Sequence, residues 1–114
     1  MSDEVIESKS AKIAALNDNL RLTLQGGKIM FTAGVDALSP DVKAVALTVV
    51  RAFDQFTKDN DPHGEHDFGA FEVLDDKFFW KIDYYDKELK FGSEDPADPE
   101  KTTRVLLIML RSEY

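Results

Sequence analysis

The chain has 114 residues, no cysteine and a net charge of −8, with 43% hydrophobic and 32% charged residues. That length holds one domain with a real core and is too short for two. The absence of cysteine excludes disulfide scaffolds, thiolate zinc sites and cysteine nucleophiles.

The start, MSDEVIESKSAK, is acidic and polar and unlike a signal peptide. No apolar run reaches the ~20 residues of a membrane helix, so the expected location is the cytoplasm. Residues 1–9 read as a disordered tail and 10–114 as a single domain. From Ser10 to Leu24 a helical stripe is formed by Ile13, Leu16, Leu20 and Leu24, with Lys12, Asp18 and Arg21 off it. Gly26-Gly27 is the expected stop. KIMFTAG, 28–34, reads as a short strand.

The next helix has a strong start signal. Ser39 suits the N-cap, Pro40 the first helical position and Asp41 the positive end of the dipole. Val42, Val45, Ala46, Val49, Phe53 and Phe56 then space a core face to about Thr57. Apolar residues alternate in DFGAFEVL and KFFWKIDYY, which predicts a hairpin near 67–85. A two-residue turn at Asp75-Asp76 would pair Val73 with Phe78 and Phe71 with Trp80. That register leaves Phe79 and Tyr85 on the opposite face. After the polar stretch 86–98, Asp98 and Pro99 predict a last helix carrying TTRVLLIMLR, apolar on most sides. The expected fold is α+β: about three helices packed on a small antiparallel sheet of about three strands, in the order α-β-α-β-β-α.

With these segments placed, the chain resembles a bacterial domain-of-unknown-function family of small acidic proteins common on plasmids and mobile elements. The resemblance runs from Ile13 to Tyr114 and rests on IAALND, TAGVDALSP, RAFDQFTKDNDPHGEHDFGAFE, FFWKIDYYD and DPADPEKTTRVLLIML. It implies an accessory role, such as an anti-defence factor, and supplies no catalytic residues.

The stretch DNDPHGEHDFGAFE, 59–72, surrounds both histidines, His63 and His66, with carboxylates. Asp61-Pro62-His63-Gly64 fits a type I turn, and Asn60 can add an Asx-type bond. An EF-hand is rejected, because the twelfth position is Ala70 where a bidentate glutamate is required. His63, Glu65, His66 and Asp61 have the donors for a divalent transition metal, at a spacing unlike the helical H-E-x-x-H. No nucleophile elbow, P-loop or dinucleotide fingerprint is present, so the only enzymatic route considered is hydrolysis by metal-bound water.

Charge is distributed unevenly. Residues 1–53 are neutral, 54–100 carry −10 and 101–114 carry +2. Direct nucleic-acid or anionic-membrane binding is disfavoured by that excess. The leading expectation is a non-enzymatic protein whose acidic surface engages a basic, nucleic-acid-binding protein partner. The residues expected to form it are Asp59, Asp61, Glu65, Asp67, Asp75, Asp76, Asp86, Glu94 and Asp95, with no cofactor. The rival is a metal-binding domain or metal-dependent hydrolase at His63, Glu65 and His66. Homo-oligomerisation through the apolar last helix is a third possibility.

Overall fold

The computed structural model describes residues 8–114. The expected tail over 1–7 lies outside the described residues, whereas Ser8 and Lys9 belong to the fold: Ser8 Oγ accepts from Ala11 N and Lys9 opens the first helix. The elements are α1 (Lys9–Thr23), β1 (Lys28–Phe31), α2 (Ala33–Asp36), α3 (Pro40–Ala52), β2 (Phe68–Val73), β3 (Asp76–Tyr85) and β4 (Thr103–Leu110), followed by a 3-10 turn (Arg111–Glu113). The α+β class holds, with three helices and four strands among the described residues. The sheet runs β1-β4-β3-β2 and is mixed: β1 is parallel to β4 and the other pairs are antiparallel.

The expected last helix is a strand. TRVLLIML is a short apolar run between turn signals, and β4 lies in the middle of the sheet between β1 and β3. A strand flanked on both sides and buried on both faces needs no alternation, so its sequence reads like a buried helix. Val105, Leu106, Ile108 and Met109 are all buried.

The hairpin exists in another register. Phe71 pairs with Phe78, Gly69 with Trp80 and Val73 with Asp76, so the turn falls on Leu74-Asp75. Leu74 takes φ 55° with its side chain exposed. The slip is an even number of residues, which keeps the same side chains on the core face. Tight packing selects it: a Cβ on Gly69 would lie 2.4 Å from Trp80 Nε1 and 2.7 Å from the Phe53 ring. The glycine must therefore sit under the indole.

Two helices end earlier than their apolar spacing suggests. α1 closes at Leu24 (φ 60°), whose N–H bonds to Leu20 O at 2.8 Å. Gly27 is used instead for a close crossing, since a Cβ there would lie 2.6 Å from Arg104 O. α3 stops at Ala52 because the Arg21 guanidinium takes its terminal carbonyls, donating to Val50 O (3.1 Å) and Phe53 O (2.8 Å). Phe53 and Phe56 still pack on the core from beyond the helix. β1 is shorter than KIMFTAG: Thr32 caps α2, and Glu113 accepts from Thr32 Oγ1 (2.6 Å), Gly34 N (3.0 Å) and Leu110 N (2.9 Å), tying the C-terminal turn to α2.

One sheet face carries the core. Phe71, Val73, Phe78, Trp80, Ile82, Leu106 and Ile108 meet Leu20, Val35, Ala46 and Val50 from the helices. Phe71 and Phe78 stack at 4.8 Å. The register places Phe79, Lys81, Asp83 and Tyr85 on the other face, which no helix among the described residues covers. Tyr114 shields part of it, packing on Phe79 at 5.1 Å and Phe68 at 6.0 Å.

Candidate functional site

The chain from Phe53 to Asp67 has no regular structure and is held by side chains. Asn60 Oδ1 accepts from Thr57 N (2.7 Å), and Asn60 Nδ2 donates to Gln55 O (2.8 Å). Gly64 N donates to Asp61 O (3.1 Å), closing the Asp61-Pro62-His63-Gly64 turn with Gly64 at φ 68°. The Asp61 carboxylate is buried and turned inward, where it accepts from Glu65 N (2.9 Å) and His66 N (3.2 Å). Those bonds hold His66 at φ 56°, a left-handed conformation that a residue with a Cβ adopts at a cost.

From there the His66 ring is fixed on three sides. Its Nδ1 lies 3.0 Å and 3.1 Å from the two Asp18 oxygens, and the ring stacks on Phe56 at 4.0 Å and 1°. Nε2 is 3.8 Å from Asp61 Oδ2. Asp18 in turn pairs with Arg21, whose guanidinium lies over Phe56 (5.3 Å) and Trp80 (5.0 Å). Arg21 was expected off the buried stripe, yet it is only 3% exposed. Its guanidinium reaches inward to the α3 carbonyls, which is why it counts among the core polar groups.

A second chain of bonds joins α1 to the sheet. Asn17 Nδ2 donates to Glu65 O (3.0 Å) and Tyr84 Oη (2.9 Å), and Asn17 Oδ1 accepts from Arg104 Nε (2.9 Å). Tyr84 donates on to Glu65 Oε1 (2.9 Å), and Arg104 also donates to Pro96 O. Burial pushes the Tyr84 phenol far above its ordinary value and lowers the Arg104 guanidinium. Asp67 is held above the usual carboxylate range by burial and by the neighbouring charges of Glu65 and Asp61. Asn17, Asp18, Arg21, Tyr84 and Arg104 are the members that sequence reasoning missed. Two signals pointed to them: Asn17 sits in register with Ile13 and Leu20, and Arg104 opens an otherwise apolar run.

The four residues expected to hold a metal are each placed differently. Asp61 is bound to backbone N–H groups, Glu65 receives the Tyr84 hydroxyl, His66 faces Asp18 and His63 is exposed at the turn. Among the described residues no three histidine, aspartate or glutamate side chains are grouped to hold a metal ion.

The nine expected acidic residues do not form one continuous face. Asp59, Glu65 and Asp67 belong to the bend, beside the Tyr84 end of β3. Asp86, Glu94 and Asp95 are at that same end: Ser93 N bonds Tyr84 O, and Arg104 reaches Pro96. Asp75 and Asp76 sit at the hairpin tip, separated from Asp67 by the 6 residues of β2, roughly 20 Å of strand, and from Asp86 by the 10 residues of β3, roughly 30 Å. Glu94 is 3.6 Å from Lys101 and Asp95 is 3.7 Å from Lys9; Asp59 and Asp75 are exposed, with no cation within 4 Å among the described residues. Two clefts flank the C-terminal end of α3. One, of about 450 Å³, is bounded by Asp18, Arg21, Arg51, Phe56 and His66. The other, of about 420 Å³, runs beside β2.

A small α+β protein with a four-stranded mixed sheet and a buried polar clasp is thus defined. The model of a family described as "Protein of unknown function (DUF3768)" matches residues 31–113, and the chain belongs to that family. The match begins at Phe31, so IAALND in α1 lies outside it. No curated protein and no solved structure matches the chain. Among the described residues no helix is long and apolar enough to cross a membrane.

Proposed function

We propose that this protein is a binding protein without chemistry of its own, and that its carboxylates engage a basic protein partner. The observation that carries this reading is how the polar groups of the histidine bend are used. Asp61, His66, Asp18, Asn17 and Tyr84 direct their bonds at one another and at backbone, and so close the fold. Carboxylates on the outside of the same elements, Asp59 and Glu94 among them, carry the negative charge outward. A partner that normally grips nucleic acid fits best, because a surface built to meet phosphates also meets carboxylates. The charge excess over 54–100 makes the attraction long-ranged and salt-sensitive.

The test is capture from host lysate with the wild-type protein and with the combined variant Asp59→Asn, Asp67→Asn, Glu94→Gln. The expected result is a partner retained by wild type at low salt and lost by the variant, with the variant melting no lower than wild type. Equal retention by both proteins would refute the reading.

A further inference from the structure

β2 is an edge strand, and its outer edge is open. Asp67 O accepts from Ile82 N at 2.9 Å, which sets the alternation along the strand. Gly69, Phe71 and Val73 bond to β3, so Phe68, Ala70 and Glu72 turn their N–H and C=O groups outward. Proteins commonly blunt such an edge or cover it. Among the described residues no strand pairs with it, and the cleft of about 420 Å³ lies alongside, floored by Val49, Phe53 and Phe71 and bordered by Asp54 and Glu72.

The edge also connects the two groups of carboxylates described above. It leaves Asp67 at one end and reaches Asp76, next to Asp75, at the other, with Glu72 between them. Lys77, opposite Glu72 in the register, makes no ion pair with it within 4 Å. The other edge of the sheet differs: β1 is four residues long and begins with Lys28.

We infer that β2 is extended by an added strand: a segment of the basic partner in which small apolar residues alternate with lysine or arginine. The period of two in a strand sends one set of side chains into the cleft over Val49, Phe53 and Phe71. Main-chain bonds to Phe68, Ala70 and Glu72 supply register, and the flanking carboxylates select positive charge. This rests on the proposed function and assigns its contact to one edge.

The test uses an acetylated heptapeptide of alternating valine and lysine, and its counterpart with glutamate for lysine. Amide hydrogen exchange of the full-length protein is followed with each. With the lysine peptide at saturation, the amides of Phe68, Ala70 and Glu72 are expected to slow by about tenfold or more, with Gly69 and Phe71 unchanged. The glutamate peptide leaves all of them unchanged. The exposed pair Asp54→Lys and Glu72→Lys weakens the lysine peptide by about tenfold, with an unaltered circular-dichroism spectrum. Three outcomes overturn the inference: no binding, binding without slowing at those three amides, or the same slowing without peptide as protein concentration rises. Each leaves the proposed function to the capture experiment, which scores carboxylates outside the strand.

Discussion

Asn17 shows how one buried amide substitutes for several backbone contacts. Its three bonds join α1, the bend, β3 and β4, and its oxygen is the acceptor of the Arg104 Nε–H. Removing that acceptor strands a charged donor in a buried site, where an unmet hydrogen bond costs the full desolvation of the group. Asn17→Ala is expected to lose about 2–3 kcal/mol of stability in urea unfolding; a loss under about 0.5 kcal/mol would mean that water replaces the amide. Asp67 tests the opposite sign. Its raised value makes the charged form unfavourable in the folded protein, so its penalty is absent in acid and develops as pH rises above the ordinary 3.8. Asp67→Asn is therefore expected to melt higher than wild type at pH 7, with the gap closing as pH falls through the acid range. A variant that melts lower at neutral pH would show that the backbone bond to the carboxylate outweighs its burial and the neighbouring charges.

At the scale of elements, the parts legible in the sequence are those whose signals are local. Ser39-Pro40 starts α3 where its capping chemistry says, and the alternation in β2 and β3 assigns their core faces correctly. The C-terminal strand was not legible, because a central strand buried on both faces loses the period that distinguishes it from a helix. The end of α3 depends on Arg21, 29 residues away in sequence at Val50, and no local pattern encodes that. The turn of the histidine bend could be read from Asp61-Pro62-His63-Gly64, whereas its anchors on α1 and β3 are long-range contacts. The hairpin register, too, is decided by Gly69 against Trp80 instead of by turn preference. Leu74 accepts a left-handed conformation as a consequence. Leu74→Gly is expected to stabilise the protein by about 1 kcal/mol, since glycine carries no Cβ penalty there. A loss of stability on thermal melting would place the turn elsewhere.

For the molecule as a whole, charge and fold have separate roles. The two arginines inside, Arg21 and Arg104, clasp helices to sheet, whereas the carboxylates follow the bend, the β2 edge and the hairpin tip. This division explains why a chain with 22 acidic residues folds around a nearly ordinary core. It also explains why the two histidines, the most conspicuous residues in the sequence, divide between a structural ring and an exposed turn. The measurement that tests the account most directly is calorimetry of the purified protein with its captured partner across a range of salt concentrations. Recognition by carboxylates predicts a dissociation constant that rises steeply as salt is added, by about tenfold or more over one decade of ionic strength. An affinity that stays constant across that decade would contradict it.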